Sequence, residues 1–295
     1  MHKIWSGSFG TGSLSTERLT IEIAGLPEAL EGTRLVQLSD LHYDGLRLSE
    51  ELLAEAIATT NQANPDLVVL TGDYITDSTA PIAALARSLQ QLQSPLGTYA
   101  ILGNHDHYRP GFQSTVTQAL TQVGIHVLWN QIAYPWGAEF PIVGLADAWS
   151  REFDPAPVFA KIPNTTPRLV LSHNPDTAER LQAWRVDLQL SGHTHGGQVV
   201  VPGLGAVAGW LDRGWVYLSS RFRHLPFGCR QQIVQHWEWS EGFHAIGNNQ
   251  LYVNRGLGTY APGRLFCPPE VTVITLVAKP GSKRKASSAA IATRL

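Results

Sequence analysis

Seven residues of metal-binding type recur in one kind of place along this chain, just past the end of an apolar run. Asp40 and His42 follow "LVQLS", Asp73 follows "LVVLTG", Asn104 follows "AILG", His173 follows "LVLS", and His193 and His195 follow "LQLSG". Imidazoles, carboxylates and one amide, with no thiolate, make a nitrogen and oxygen donor set suited to Mn, Fe, Zn or Co. Seven donors exceed what one tetrahedral or octahedral centre normally takes from protein alone. The inventory therefore suits two divalent ions, with a carboxylate such as Asp73 able to bridge them. A pair of such ions about 3.5–4 Å apart is the usual device for in-line displacement at phosphorus. Two dications outweigh two carboxylates even with a bridging hydroxide between them. Such a centre attracts a phosphate ester and lowers the pKa of its nucleophilic water. Singly, each residue has a plainer reading as a turn former or a solvated loop histidine. Their repetition in one position, at the ends of successive apolar runs, favours the shared site.

The elements that must bring these residues together follow from the hydrophobic pattern. "RLTIEIAGL" alternates apolar and polar and reads as a strand with one exposed face. "TRLVQLSD", "DLVVLTGD", "GTYAILGNHD", "FPIVGLAD", "RLVLSHNPD" and "DLQLSGHTH" are more continuously apolar, as strands covered on both faces are. Between them lie helical stretches. Ser49 caps "EELLAEAIATTNQ", Pro81 opens a second helix with Leu85, Leu89 and Leu92 on one side, Gln113 to Val123 form a third that stops at Gly124, and Asp176 to Trp184 a short fourth. Strands alternating with helices give an α/β fold with much parallel pairing. In such a sheet the carboxyl ends of the strands lie together and form the ligand crevice. The i, i+2 spacing of Asp40 with His42, and of His193 with His195, places both side chains of each pair on one face of an extended segment.

The remaining composition sets bounds. With 295 residues, 43% of them hydrophobic, the chain can bury a large core, and its net charge of −2 gives no global reason to expect nucleic acid as a partner. Cys229 and Cys267 are far apart in the sequence and read as reduced, partly buried thiols. No apolar run approaches the roughly 18 residues that span a bilayer, and "MHKIWSGSFGTGS" lacks the core of a secretory signal, which makes a cytoplasmic location the default. Residues 1–16 read as a flexible N-terminus, 17–279 as the domain, and 280–295 as a disordered basic tail. Within the domain, an insertion at about 203–248 breaks the α/β pattern.

The ordered segments "SDLHYD", "LTGDY", "LGNHD", "LSHNPD" and "SGHTHGGQ" resemble the motifs of the calcineurin-like metallophosphoesterases over roughly Arg34 to Val199. The resemblance implies a four-layer sandwich in which two mixed β-sheets are flanked by α-helices, with a dinuclear centre and hydrolysis of a phosphodiester or pyrophosphate bond by a metal-bridging hydroxide. It implies that Asp40, His42, Asp73 and His195 hold one metal, and that Asp73, Asn104, His173 and His193 hold the other. His105 matches the family's catalytic histidine, with Asp106 orienting its ring, so that it stabilises the transition state or protonates the leaving oxygen.

The substrate is less sharply marked. "GDYITDS" and "GNHD" lack the arginine and the glutamate of the superfamily's protein phosphatases, whereas "SHNPD", "GHTHGGQ" and "YVNRGLG" resemble a bacterial subgroup of membrane-associated phosphoesterases related to UDP-2,3-diacylglucosamine diphosphatase of the lipid A pathway. That resemblance makes Arg255 a candidate phosphate-contacting cation. Within the insertion, "RGWVYLSSRFRHLPFGCRQQIVQ" holds four arginines and no acidic residue among Trp215, Tyr217, Phe222 and Phe227, and Trp210, Trp237 and Trp239 flank it. Aromatic rings and cations suit a headgroup interface, so 203–240 is a candidate peripheral contact with the inner membrane, against the plainer reading of an ordinary packed lid. Two alternatives to the lipid-linked substrate stay open: a soluble nucleotide phosphodiesterase and a metal-stabilised binding module.

Overall fold

The computed structural model describes residues 10–221 and 233–281, and of residues 215–221 the backbone alone. The expected basic tail from 282 on, residues 1–9 of the N-terminal segment, and Phe222, Phe227 and Cys229 of the insertion lie outside the described residues.

Two six-stranded mixed sheets form the body. The first runs, in spatial order, β1 (Ser15–Ile23), β14 (Glu270–Ala278), β2 (Arg34–Leu38), β3 (Leu67–Leu70), β4 (Thr98–Ala100) and β5 (His126–Val127). All its pairs are parallel except β14 with β2. The second runs β12 (Gly242–Ile246), β13 (Asn249–Val253), β9 (Leu188–Ser191), β8 (Leu169–Leu171), β7 (Ile142–Gly144) and β6 (Gln131–Ala133), antiparallel only at its two edges.

The alternation of side chains along each strand explains the layering. On β2 and β3, Leu35, Leu67 and Val69 face Ile142, Leu169, Leu171, Leu188 and Leu190 of the second sheet in one core. Val36, Leu38, Val68 and Leu70 point the other way, onto α1 (Glu50–Gln62), α2 (Ile82–Leu89) and α3 (Phe112–Gln122). Val143, Leu145 and Val170 form the outer face of the second sheet and meet Val158 and Phe159 of α4 (Ala156–Phe159). The strands carry near-continuous apolar runs because both of their faces are covered. The result is the four-layer α/β arrangement. Local signals act as expected at α1, where the Ser49 hydroxyl accepts the Leu52 N–H at 3.2 Å.

Several boundaries differ from the sequence reading. β1 starts at Ser15, because its register with Glu270 of β14 extends two residues before position 17. The short fourth helix is split into α5 (Thr177–Arg180) and a 3-10 turn over Leu181–Ala183. A small hairpin of β10 (Val200–Val201) and β11 (Gly205–Ala206) leads into the insertion, which continues as α6 (Val207–Arg221). The insertion's expected end at 248 cuts into the second sheet, since β12 pairs with β13 along its whole length. Among the described residues, no helix is long and apolar enough to cross a membrane.

Candidate dinuclear metal site

The carboxyl ends of β2, β3 and β4 meet those of β8, β9 and β13, and the loops beyond them are sewn together by backbone. Asp40 N–H donates to Gly72 O at 3.0 Å, His42 N–H to Asp73 O at 2.9 Å, Gly192 N–H to His173 O at 3.0 Å, and Gly258 N–H to Asp40 O at 2.7 Å. Across the sheets, both oxygens of Asp40 accept the His193 N–H at 3.0 Å. Residues more than a hundred positions apart thereby share one pocket.

The backbone of these loops is unusual. Asp40, His42, Asp73, His193 and His195 all have positive φ, between 41° and 72°. Residues with a Cβ avoid this region, and where several cluster the surrounding structure must hold them there. The same fact corrects one sequence argument. The Asp-X-His and His-X-His pairs converge because left-handed turns swing them inward, not because alternate residues of a strand share a face.

Among the described residues three overlapping donor groups result, one of them His42, Asp73 and His105, and the other two make the candidate ion sites. Asp40, His42 and His195 form one: His195 Nε2 lies 3.5 Å from Asp40 Oδ1 and 3.2 Å from His42 Nε2. Asp73, His173 and His193 form the other, and Asn104 Oδ1 joins it 3.2 Å from His173 Nε2. Asp73 Oδ2 lies between them, 3.5 Å from His42 Nε2 and 3.2 Å from His173 Nε2. Every one of these side chains is buried.

The ring tautomers test whether cations fit. His173 Nδ1 faces the Thr71 carbonyl at 2.7 Å, His195 Nδ1 the Gly258 carbonyl at 3.1 Å, and His193 Nε2 the Ile233 carbonyl at 3.0 Å. A carbonyl only accepts, so each of these nitrogens carries the proton and the opposite nitrogen offers a lone pair. His173 Nε2 and His193 Nδ1 then present lone pairs to each other at 3.3 Å, an arrangement that calls for positive charge between them.

The electrostatics agree. Burial pushes His42 and His195 down to about 3, which keeps both rings neutral. Burial also opposes a charge on His173, but the Asp73 carboxylate outweighs it and raises that ring to about 10. The field that holds a proton on His173 is one that a metal cation would meet in its place. The donor set thus fits two divalent ions.

A cavity of about 310 Å³ opens over the clusters. Its floor is His42, Asp73, Asn104, His105, His193 and His195, and its walls are Trp149, Ala208, Ile233, Trp237 and Tyr260. His105 faces it with Nδ1 on the Thr76 carbonyl at 3.1 Å, which leaves Nε2 for chemistry. A larger cavity of about 780 Å³ lies at the opposite end of the strands, around Gln182, Arg185, Asp187 and Asn249, away from both clusters.

Chains with such loops fall into a known group. A family model described as calcineurin-like phosphoesterase matches residues 33–197. This chain belongs to the calcineurin-like phosphoesterases. Escherichia coli (strain K12) phosphodiesterase YaeI is 35% identical over 251 residues, covering 83% of this chain and 82% of the relative. UDP-2,3-diacylglucosamine pyrophosphatase LpxG of Chlamydia muridarum is 27% identical over 325 residues, covering 94% and 93%. The chain is a metal-dependent phosphoesterase with the family's layered fold, and its clustered histidines and aspartates are candidate ligands for divalent metal.

Two sequence expectations need correcting within this phosphoesterase. Asp106 does not orient the His105 ring. Its Oδ2 accepts N–H groups from Asp73 and Gly103 at 2.8 and 2.9 Å, and its Oδ1 accepts those of Tyr74 and Ile75 at 2.9 and 3.3 Å. Burial and the neighbouring Asp73 charge push the Asp106 carboxyl up, while the amides it accepts from favour its ionised form. Arg255 does not line the metal cavity. Its guanidinium meets Glu17, Glu270 and Glu241 at 2.6, 3.0 and 3.5 Å and ties β1, β14 and the approach to β12 together.

Other residues of the site had no motif to announce them. The Tyr260 hydroxyl lies 3.0 Å from His42 Nδ1. Arg264 is buried and donates to the carbonyls of Arg255, Gly256 and Gly258 at 2.8, 3.1 and 2.8 Å. It thereby fixes the carbonyl that orients His195. His107 and Asp147 pair at 2.9 Å beside the cavity.

Proposed function

We propose that the chain hydrolyses a phosphodiester or pyrophosphate bond in a nucleotide-linked, acylated substrate, with UDP-2,3-diacylglucosamine as the type, presented at a membrane surface. The observation that carries the hydrolytic part is the position of Asp73 Oδ2 between the two histidine clusters. Asp40, His42 and His195 would hold one ion, Asn104, His173 and His193 the other, and Asp73 both. Mn, Fe, Zn or Co suits the donors. When bound, such ions polarise phosphoryl oxygens and supply an activated water at neutral pH.

The chain's own residues do the rest. The carbonyls of Thr71, Gly258 and Ile233 fix the tautomers that leave ligand nitrogens free. His105 holds one proton toward Thr76 O and, when doubly protonated, delivers the other from Nε2 to the leaving oxygen as the P–O bond breaks. Trp237, Ile233 and Ala208 cover one side and limit bulk water.

The acylated part of the reading is supported by exposed apolar side chains in the insertion and in the loop before β14. Leu204, Leu211, Leu265 and Phe266 are all largely exposed. Leu265 accepts the Val200 N–H through its carbonyl at 3.0 Å, and the Trp210 indole donates to Leu204 O at 3.1 Å, so the four lie on adjoining elements. Similarity to LpxG supports the same substrate class. Peripheral contact at the inner membrane belongs to this reading.

The test is turnover of a UDP-linked diacylated sugar against its deacylated counterpart, with metals added singly. Asp73→Asn should abolish turnover of both, and the acylated compound should be the better substrate. Equal rates would remove the lipid part, and metal-independent turnover would remove the whole. Liposome sedimentation with Leu265→Ser and Phe266→Ser checks the membrane contact.

A further inference from the structure

The metal cavity does not end at His105. A groove of about 640 Å³ shares Asn104, His105 and Trp149 with it and runs outward between α3 and the loop after β7. Tyr108, Trp129 and Trp149 bring three aromatic rings to this groove, and Arg151 brings a cation.

These rings are pinned although two of them face solvent, Tyr108 at 44% and Trp149 at 40% exposure. The Tyr108 hydroxyl donates to Asp77 Oδ1 at 3.0 Å, and the Trp129 indole to Glu152 Oε2 at 2.8 Å. The Trp149 ring packs edge-on against the His193 ring with 4.9 Å between centroids, and its backbone N–H donates to Asp147 Oδ2 at 2.9 Å, the same oxygen that meets His107 Nε2. Asn130 locks the loop from the other side, donating to Glu152 O at 2.6 Å and accepting from Ala146 N–H at 3.0 Å. An exposed ring has a large conformational choice. Rings held this way have lost it before any ligand arrives, which lowers the cost of binding a flat partner.

The chemistry of the groove differs from that of the opposite wall. Ala208, Ile233 and Trp237 offer an apolar wall, whereas the groove offers π-faces, a guanidinium and the polar edges of Gln113 and Ser150. An acyl chain would leave those polar groups without partners. A heteroaromatic ring stacks on any aromatic face and uses polar neighbours at its edge.

We propose that this groove binds the nucleobase of the substrate's nucleotide arm, on the side of the phosphorus from which the leaving oxygen departs past His105. The inference rests on the hydrolase reading for its orientation and on the groove for its ligand.

Calorimetric titration of the metal-loaded, full-length protein with UMP, AMP, ribose 5-phosphate and inorganic phosphate tests it. A nucleoside monophosphate should bind about tenfold tighter than ribose 5-phosphate, the scale of one base stacked on an aromatic ring. Tyr108→Ala should cut that preference to within about twofold, and Arg151→Ala, an exposed change that cannot unfold the chain by loss of packing, should reduce it as well. Equal binding of UMP, AMP and ribose 5-phosphate would overturn the groove, as would a base preference untouched by both substitutions. Hydrolysis of bis(p-nitrophenyl) phosphate by the same preparation separates the two readings. Normal turnover without base preference overturns the groove alone, and base preference without any turnover overturns the hydrolase alone.

Discussion

The Asp106 carboxylate bridges the loops that carry the candidate ligands Asp73 and Asn104, accepting the Asp73 N–H at 2.8 Å and the Gly103 N–H at 2.9 Å through one oxygen. Its second oxygen takes the next two amides, those of Tyr74 and Ile75. Asp106 therefore positions the loop in which Asp73 sits at a φ of 57°. His105, its neighbour in sequence, does different work, because its ring faces the cavity.

This division predicts two distinguishable failures. Asp106→Asn turns an amide donor toward backbone N–H groups, so it should cost about 2–3 kcal/mol of stability, the worth of hydrogen bonds to a charged group. It should also lower metal affinity by roughly 10–100-fold, as loss of groups that orient ligands does. His105→Ala should keep both metals and the melting temperature while kcat falls by about 10²–10⁴. Metal analysis beside kinetics decides the matter, and equal metal loss in both variants would contradict it.

A second prediction concerns Gly192. A Cβ there would overlap Ser39 Oγ and Asp40 Oδ2. The φ at this position is not the constraint, so the need for glycine is one of space alone. Gly192→Ala should displace Asp40 and empty the Asp40–His42–His195 cluster first, leaving one metal per chain instead of two. Gly203→Ala makes a useful contrast, since a Cβ at 203 meets nothing nearby and its cost comes only from a φ of 79°. Metal stoichiometry should be unchanged in that variant.

A third prediction uses pH. His236 stacks on Trp239 at 3.9 Å and contacts Glu238 and Glu179 at 2.7 and 3.3 Å. Burial lowers its pKa, but the bonds to Glu238 and Glu179 outweigh it and leave the ring above 6.5. The folded value is raised, so the stabilisation is complete below the unfolded value of about 6.5 and is lost as pH rises through the folded one. The segment from 233 to 239 carries Ile233 and Trp237 of the cavity wall, which should therefore loosen on the alkaline side. Proton NMR titration of His236 should give a value above 6.5 that falls in Glu238→Gln. A wild-type value at or below 6.5 would be a refutation.

The pattern of apolar runs made the α/β class and the strand-end placement of the ligands legible, because strands covered on both faces leave long hydrophobic stretches in any sequence. What the pattern hid was conformation. His42 and His195 reach inward through positive φ, and no residue type in "SDLHYD" or "SGHTHGG" states that the backbone turns at the ligand itself. Arg255 misled for a related reason. An arginine in "YVNRGLG" carries no mark of whether its partner is a substrate phosphate or Glu17, some two hundred residues earlier. Asp106 and Tyr260 act through backbone amides and a ring nitrogen, contacts fixed only when distant loops dock. The insertion's helix α6 escaped because its glycines and scattered tryptophans weaken the helical signal.

Arg264 offers the sharpest check on how the second half of the chain serves the first. It lies in "APGRLFC", a stretch with no metal-ligand or catalytic signature, yet its buried guanidinium donates to the carbonyls of Arg255, Gly256 and Gly258 and to the Thr259 hydroxyl. Gly258 O in turn accepts the proton of His195 Nδ1 at 3.1 Å. Removing the guanidinium leaves several buried carbonyls without partners and frees the His195 ring to turn. Arg264→Met should therefore destabilise the fold by about 3 kcal/mol or more, since each unsatisfied buried acceptor costs about 1–3 kcal/mol. Arg264→Lys cannot span the same fork of acceptors and should recover little. If stability falls while the affinity of the Asp40–His42–His195 cluster for metal stays unchanged, Arg264 only braces the loop. A parallel loss of metal, measured at a temperature where the variant is still folded, would establish that it sets the orientation of His195.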